Sequence, residues 1–416
     1  MRVWGILPQA RASLWLVRDI SRPMGAFEPH ASVDPPAGEV DRLRVRPTFA
    51  RIDAEALDHN LRRVQSHVGE DCRVLAVVKA DAYGHGAAEA ARTFVEAGAW
   101  GLAVSLVEEG VELREAGIHA PVVVLGGVYP GSQDVIVHRR LTPVVWTPEH
   151  LEMLADAVRR TGAQPTPVHL KIDTGMSRLG TLPGELDTLL DWFVADGGRT
   201  LRLQGAMTHL ACADEPTDDL TSARQLARFD AALAAMSARG LVVEFRHACN
   251  SAGMVRFPHA HYDMVRPGIA LYGAAADERV QLPGLRLAMS VCSRVQAVRD
   301  LPKGVRISYG GTHVLSRDAR VAVVPVGYGD GYPRAMSGKA QMLVRGHRCD
   351  VLGKITMDVC MLDVTDLPDV RAGERVTLMG RQGGDTIGVH ELAAWADVIP
   401  YEVTCGISKR VPRLGG

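Results

Sequence analysis

The sequence predicts an α/β protein: a (β/α)8 barrel of the TIM type followed by a mainly β C-terminal domain. Between residues 47 and 285, eight short apolar runs alternate with longer amphipathic stretches, the count that a closed eightfold barrel requires. From about residue 286 the helical stretches thin out, and apolar runs follow one another between glycine-rich turns. The chemically unusual residues also fall near the C-terminal ends of the barrel runs, the rim where barrel enzymes keep their chemistry. An open doubly wound sheet is the competing architecture, and the eightfold count favours the barrel.

The chain has 416 residues, enough for two domains with sizeable cores. Its first 46 residues carry prolines and arginines without a clear period. Pro8, Gln9 and Arg11 interrupt their early apolar stretch, which makes a poor signal-peptide core. This segment reads as a disordered extension, or as a start codon placed too far upstream. The expected division is therefore 1–46 as extension, 47–285 as barrel and 286–416 as β domain.

The barrel runs are 74–78 (VLAVV), 100–104 (WGLAV), 121–125 (PVVVL), 143–146 (PVVW), 168–172 (VHLKI), 203–209 (LQGAMTH), 243–248 (VEFRHA) and 262–270 (YDMVRPGIA). Short apolar runs bounded by turn residues read as strands buried on both faces. Helices are expected between them, for example over 84–98 and over 221–240, the latter with a cap at Thr221 and a stop at Gly240. In the C-terminal part, 320–327, 341–346, 355–364 and 375–380 read as strands.

Composition narrows the function. Apolar residues make up 47% and charged residues 23%, with a formal net charge of −1, so nothing draws the chain to nucleic acid or an anionic membrane. No apolar run reaches the ~18 residues of a spanning helix. The seven cysteines are scattered with no CxxC pair, which suggests neither a disulfide framework nor a zinc site. Reduced thiols, no metal and a cytoplasmic enzyme are expected.

Lys79 closes the first run. Either the strand simply surfaces there, or the amine is a trap for a carbonyl group. Lys171 and Arg178 straddle the end of the fifth run, His209 ends the sixth, Asn250 and Ser251 follow the seventh, and Arg266 lies in the eighth. One such residue would be chance; together they make a site. The stretch 250–253 opens a short helical run whose N-terminus suits a phosphate. A serine there, taken alone, is more often a plain N-cap.

The motifs 79–86 (KADAYGHG), 171–180 (KIDTGMSRLG), 208–214 (THLACAD), 249–253 (CNSAG) and 264–273 (MVRPGIALYG) continue into 308–312 (SYGGT), 327–334 (GYGDGYPR), 353–358 (GKITMD) and 400–403 (PYEV). In this order, over residues 48–416, they resemble the alanine racemase family. The resemblance implies pyridoxal 5′-phosphate on Lys79, a homodimer, and interconversion of L- and D-alanine to supply peptidoglycan. It implies cofactor contacts from Tyr83, Ser251, Arg266, Gly268, Ile269 and Tyr401. Arg266 would face the ring nitrogen, with His209 holding it in place. A permanently charged donor there weakens the electron sink and suppresses side chemistry such as transamination.

By the same resemblance Arg178 clamps the substrate carboxylate, a pairing that suits guanidinium geometry. Lys171 would carry a carbamate that orients Arg178. Lys79 serves as base on one face and Tyr309 on the other, with Tyr309 and Met357 reaching in from the partner subunit. A phenol with a pKa near 10 is a poor base at neutral pH, so cationic neighbours must tune it. Family members often have Arg where Lys354 stands and Cys where Thr356 stands. Lys354 would join Asp214, Arg334 and Ile399 in the outer entry corridor. Three other readings stay open: a broader, serine or lysine racemase; a decarboxylase of the same architecture, expected to set an acid at the ring nitrogen; and a non-catalytic carrier built on the barrel alone.

Overall fold

A computed structural model describes residues 46–215 and 217–415. The first strand, β1 (Phe49–Ile52), was not among the predicted runs, and it does not belong to the barrel sheet. The barrel follows as β2 (Arg73–Val77), β3 (Gly101–Val104), β4 (Val122–Val124), β5 (Thr142–Val145), β6 (Thr166–Lys171), β7 (Leu201–Met207), β8 (Phe245–His247) and β9 (Met264–Val265). β2 to β8 pair in parallel in chain order, and β9 pairs in parallel with the free side of β2. At the remaining seam the N–H of Asp263 donates to the Arg246 carbonyl (3.1 Å) and the N–H of Arg266 to the Cys249 carbonyl (3.0 Å). Each predicted run thus overlaps one barrel strand, with ends that differ by up to a few residues.

The runs become strands because both faces are covered. Val122, Val123 and Val124 are fully buried, as branched side chains in a parallel sheet should be. The eighth run yields only two strand residues, so Arg266 follows the strand instead of lying in it.

Two helices begin elsewhere than expected. The first runs over Ala87–Glu96, because the residues before it form a left-handed turn. The second runs over Asp219–Ala238, and its cap is Asp218, whose carboxylate accepts from the N–H of Thr221 at 3.0 Å. Thr221 therefore lies inside the helix. Gly240, at φ +72°, marks its end.

The β domain is built around β1. β1 pairs antiparallel with β10 (Met289–Arg294) and parallel with the last strand, Arg413–Gly415. The sheet continues through Arg375–Gln382, Gln341–Val344 and His347–Asp350. A three-stranded sheet packs nearby in sequence: Ala297–Leu301, Ala319–Val324 and Cys360–Asp363. The predicted extension falls outside the described residues except for Arg46, which pairs with the buried Asp330 at 2.7 Å. No helix among the described residues is long and apolar enough to cross a membrane.

Candidate active site at the barrel rim

β2 ends at Val77, and Lys79 stands half-buried two residues on. The next four residues, Ala80 to Tyr83, all have φ between +52° and +54°, a turn of left-handed helix. Such a turn costs roughly 1–2 kcal/mol per non-glycine residue. It persists because its polar groups are held. The N–H of Ala80 donates to Glu109 (2.7 Å), that of Ala87 donates to Asp81 (2.7 Å), and Arg413 of the β domain donates to the Gly84 carbonyl (3.0 Å). A Cβ on Gly84 would run into the backbone of Thr404, in the helix Pro400–Gly406. The β domain thus grips the turn that presents Lys79.

Tyr83 is buried by this turn, its ring 5.0 Å from Tyr272 and 5.8 Å from Tyr401. Burial raises both phenols, Tyr401 to about 12. Gly268 passes so close beneath Tyr83 that a Cβ there would lie 2.9 Å from Cζ. The N–H of Gly268 donates to the Ser251 hydroxyl at 2.9 Å. Ser251 is not the cap of its helix, contrary to the commoner expectation for a lone serine. Asn250 is the cap, accepting from the N–H of Gly253 at 2.8 Å. Tyr83, Ser251, Gly268 and Ile269 therefore gather around one small space at a helix start, where the first N–H groups have no helical partner.

Arg266 is buried and held from several sides. Its Nη2 donates to the carbonyls of Thr208 (2.7 Å) and Ala248 (3.0 Å) and lies 3.2 Å from His209 Nδ1; its Nη1 lies 3.0 Å from His247 Nδ1. His209 does hold Arg266, but His247, which was not singled out from the sequence, is the nearer ring. The Nε of Arg266 has no acceptor among the described residues. Burial lowers its pKa only to about 10, so it stays charged. His209 is pushed well below its ordinary value by burial and then by Arg266.

Lys171, at the end of β6, is buried, and its amine drops to about 8 through burial and then through Arg266 and Arg178. Lys79 is lowered by the same two kinds of cause, burial first and Arg178 next, while Glu109 opposes them. Arg178 is exposed, and its guanidinium makes no hydrogen bond or ion pair among the described residues. Asp173 caps its loop by accepting from the N–H groups of Gly175, Met176 and Ser177. The rim therefore concentrates four cationic side chains.

Tyr309 and Met357 are not brought to this rim within the chain. They stand on the β domain, 70% and 51% exposed. Tyr309 follows Ser308, whose hydroxyl donates to the Lys354 carbonyl at 2.6 Å. Thr356 closes its own turn, accepting from the N–H of Val359 at 3.1 Å.

The sequence missed Glu109 and the two buried histidines, His169 and His247. Glu109 also accepts from the N–H groups of Ser105 (2.7 Å) and Leu106 (3.0 Å). The available signal for the histidines was a polar residue in an otherwise apolar core strand.

Fold and site together define a two-domain barrel enzyme with a lysine-bearing cationic rim. The family model for the N-terminal domain of alanine racemase matches residues 52–276, and that for its C-terminal domain matches 288–415. The alanine racemase of Symbiobacterium thermophilum is 45% identical over 379 residues, covering 89% of this chain and 98% of that one. The alanine racemase structure from Streptomyces lavendulae superposes with a TM-score of 0.85 at 32% identity, covering 89% of this chain and 97% of that one. That from Bartonella henselae, which holds covalently bound pyridoxal phosphate, superposes at 0.79 with 27% identity, covering 89% and 99%. The chain belongs to the alanine racemase family, and it is an isomerase.

Proposed function

We propose that this enzyme interconverts L- and D-alanine with pyridoxal 5′-phosphate carried on Lys79. The observation that carries the reading is the convergence of Lys79, Lys171, Arg178 and Arg266 on one barrel rim, in a chain of this family. The residues present suit the cofactor. The free Nε of Arg266 offers a donor to a ring nitrogen, and the space under Tyr83 beside Ser251 and Gly268 is too tight for a Cβ and rich in donors. Ile269 and Tyr401 complete that cradle. When bound, the cofactor supplies an electron sink that makes the α-proton of an amino acid removable.

The other steps belong to the chain. Arg178 binds the substrate carboxylate bidentately. A carbamate on Lys171, formed by addition of CO2 to a neutral amine, turns one cation of the cluster into an anion beside Arg178. The pKa near 8 keeps a fraction of that amine neutral at physiological pH. Lys79 moves the α-proton on one face. Tyr309, supplied with Met357 by the partner subunit of a homodimer, moves it on the other. The exposure of both residues on a single chain is what an interface-borne base requires. His209 accepts from Arg266 at Nδ1, so its proton sits on Nε2, available to the phenol oxygen. The product D-alanine feeds peptidoglycan in the cytoplasm.

In deuterated water, Tyr309→Phe should exchange the α-proton of D-alanine with retention, while L-alanine exchanges far more slowly. Racemisation should fall by roughly 10²–10⁴-fold, the loss typical of a positioned base. Equally slow exchange of both enantiomers would make Tyr309 structural.

A further inference from the structure

Behind Arg266 a line of buried side chains leads away from the rim. His247, in β8, receives Arg266 on Nδ1 and meets His169, in β6, with its Nε2 at 2.9 Å from His169 Nδ1. Both rings are fully buried. The contact crosses the intervening strand β7 because that strand has no side chain at the crossing point. Gly205 lies under the His169 ring, where a Cβ would come to 2.8 Å from Cγ. The pairing of β6 with β7 slips at this place, so that His169 is opposite Gly205 and Gln204 is left over.

The hydrogen-bond polarity of this line is fixed from one end. A guanidinium can only donate, so His247 Nδ1 must accept. Both rings are neutral: burial takes His169 to about 3 and His247 well below the ordinary range, Arg266 adding to each. A neutral His247 accepting at Nδ1 carries its proton on Nε2 and donates it to His169 Nδ1. His169 then carries its own proton on Nε2. That nitrogen makes no hydrogen bond of ordinary geometry among the described residues, although Gln204 lies near enough to raise its basicity slightly.

We infer that His169 is a positioning residue: by accepting the Nε2 proton of His247 it fixes the tautomer that offers Nδ1 to Arg266, and so aims the free Nε of Arg266 at the cofactor ring. Without that acceptor, His247 gains nothing from an Nε2 proton. Its other tautomer would set N–H against N–H at Arg266 and push the guanidinium aside. A buried donor left unpaired at His169 Nε2 is the accompanying cost. The inference rests on the reading that Arg266 meets the cofactor.

Two variants separate this role from packing. His169→Asn keeps an acceptor near the position of Nδ1 but loses volume; His169→Leu keeps volume but has no acceptor. In the holoenzyme, H169N should hold kcat within about 3-fold of the parent, while H169L should lose roughly 10–100-fold, the worth of one hydrogen bond to a charged group. KM for alanine should stay level, the absorption band of the bound cofactor should shift in H169L only, and H169L should melt no lower than H169N. The reverse order of kcat, or equal losses, would overturn the inference.

Nitrogen-15 NMR of the histidine-labelled parent enzyme at pH 7 needs no variant. Both rings should appear as neutral Nε2–H tautomers, and an Nδ1–H or cationic signal from either would overturn it. A parent enzyme that binds no cofactor would refute the functional reading instead, leaving the tautomers to be read on their own.

Discussion

Replacing Gly268 by alanine should weaken cofactor binding while leaving the barrel folded. The new methyl would sit 2.9 Å from Cζ of Tyr83, and closer to its hydroxyl, where ordinary contact begins at 3.4 Å. The ring must therefore retreat by about 0.5 Å or more, the kind of overpacking that costs about 1–3 kcal/mol. It has little room to do so, being 6% exposed and wedged between Tyr272 and Tyr401. A hydroxyl displaced from a phosphate forfeits a hydrogen bond to a charged group, about 1.5–3 kcal/mol, or roughly a 10–100-fold loss of affinity. Titrating pyridoxal phosphate into stripped enzyme, with a thermal melt of the same sample, measures both quantities. Because the alanine acts largely through Tyr83, Tyr83→Phe combined with Gly268→Ala should cost less affinity than the two losses summed. Full additivity would refute the argument.

Lys79→Ala and Tyr309→Ala should each be nearly inactive, and mixing them under subunit exchange should restore activity through heterodimers with one intact site; no recovery despite exchange would count against a shared site. Burial beside Arg266 and Arg178 lowers the Lys171 amine from its ordinary 10.5 to about 8, while the unfolded chain keeps that proton up to 10.5. The charged amine therefore destabilises the fold by about 3 kcal/mol below pH 8, and the penalty fades as the pH rises to 10.5. Lys171→Met should accordingly be the more stable protein at pH 7 in CO2-free buffer, with the gap closing at high pH; equal urea midpoints at pH 7 would contradict this. Deleting residues 1–44, which keeps the Arg46–Asp330 pair, should leave activity and dimerisation intact, as gel filtration and a racemisation assay would show.

The barrel was legible because parallel strands buried on both faces are written as apolar runs, and 121–125 becomes Val122–Val124 with little room for another reading. The rim residues were legible for the same reason: a charge at the end of such a run breaks the pattern. β1 was not, since FARI is short and mixed, and its partners lie over two hundred residues away in β10 and at the C-terminus. The left-handed turn after Lys79 was hidden as well. Nothing in ADAY announces positive φ, because tertiary contacts from Glu109, Arg413 and Thr404 impose it. His169 and His247 looked like ordinary core residues one at a time. Their meaning comes from a contact across β7 that only the strand order creates.

The electrostatic arrangement explains why an anion belongs at this rim. Beyond burial, Arg178 lowers Lys79, and Arg266 and Arg178 lower Lys171, while Glu109, the acid that opposes the shift at Lys79, is already engaged by three backbone N–H groups. Deeper in the barrel, the groups behind Arg266 are neutral histidines and carbonyls, so its charge is hydrogen-bonded but not neutralised. Folding alone thus builds a site of unbalanced positive charge, and the scaffold must tolerate it. A bound phosphate or carboxylate relieves that repulsion as well as making its own contacts. Binding is then coupled to stability, by about 2.7 kcal/mol when the ligand stands at a hundred times its Kd. The β domain, which grips Gly84 through Arg413 and Thr404, makes the strained turn around Lys79 part of that coupling. An occupant that steadies Lys79 and Tyr83 therefore also steadies the contact between the two domains.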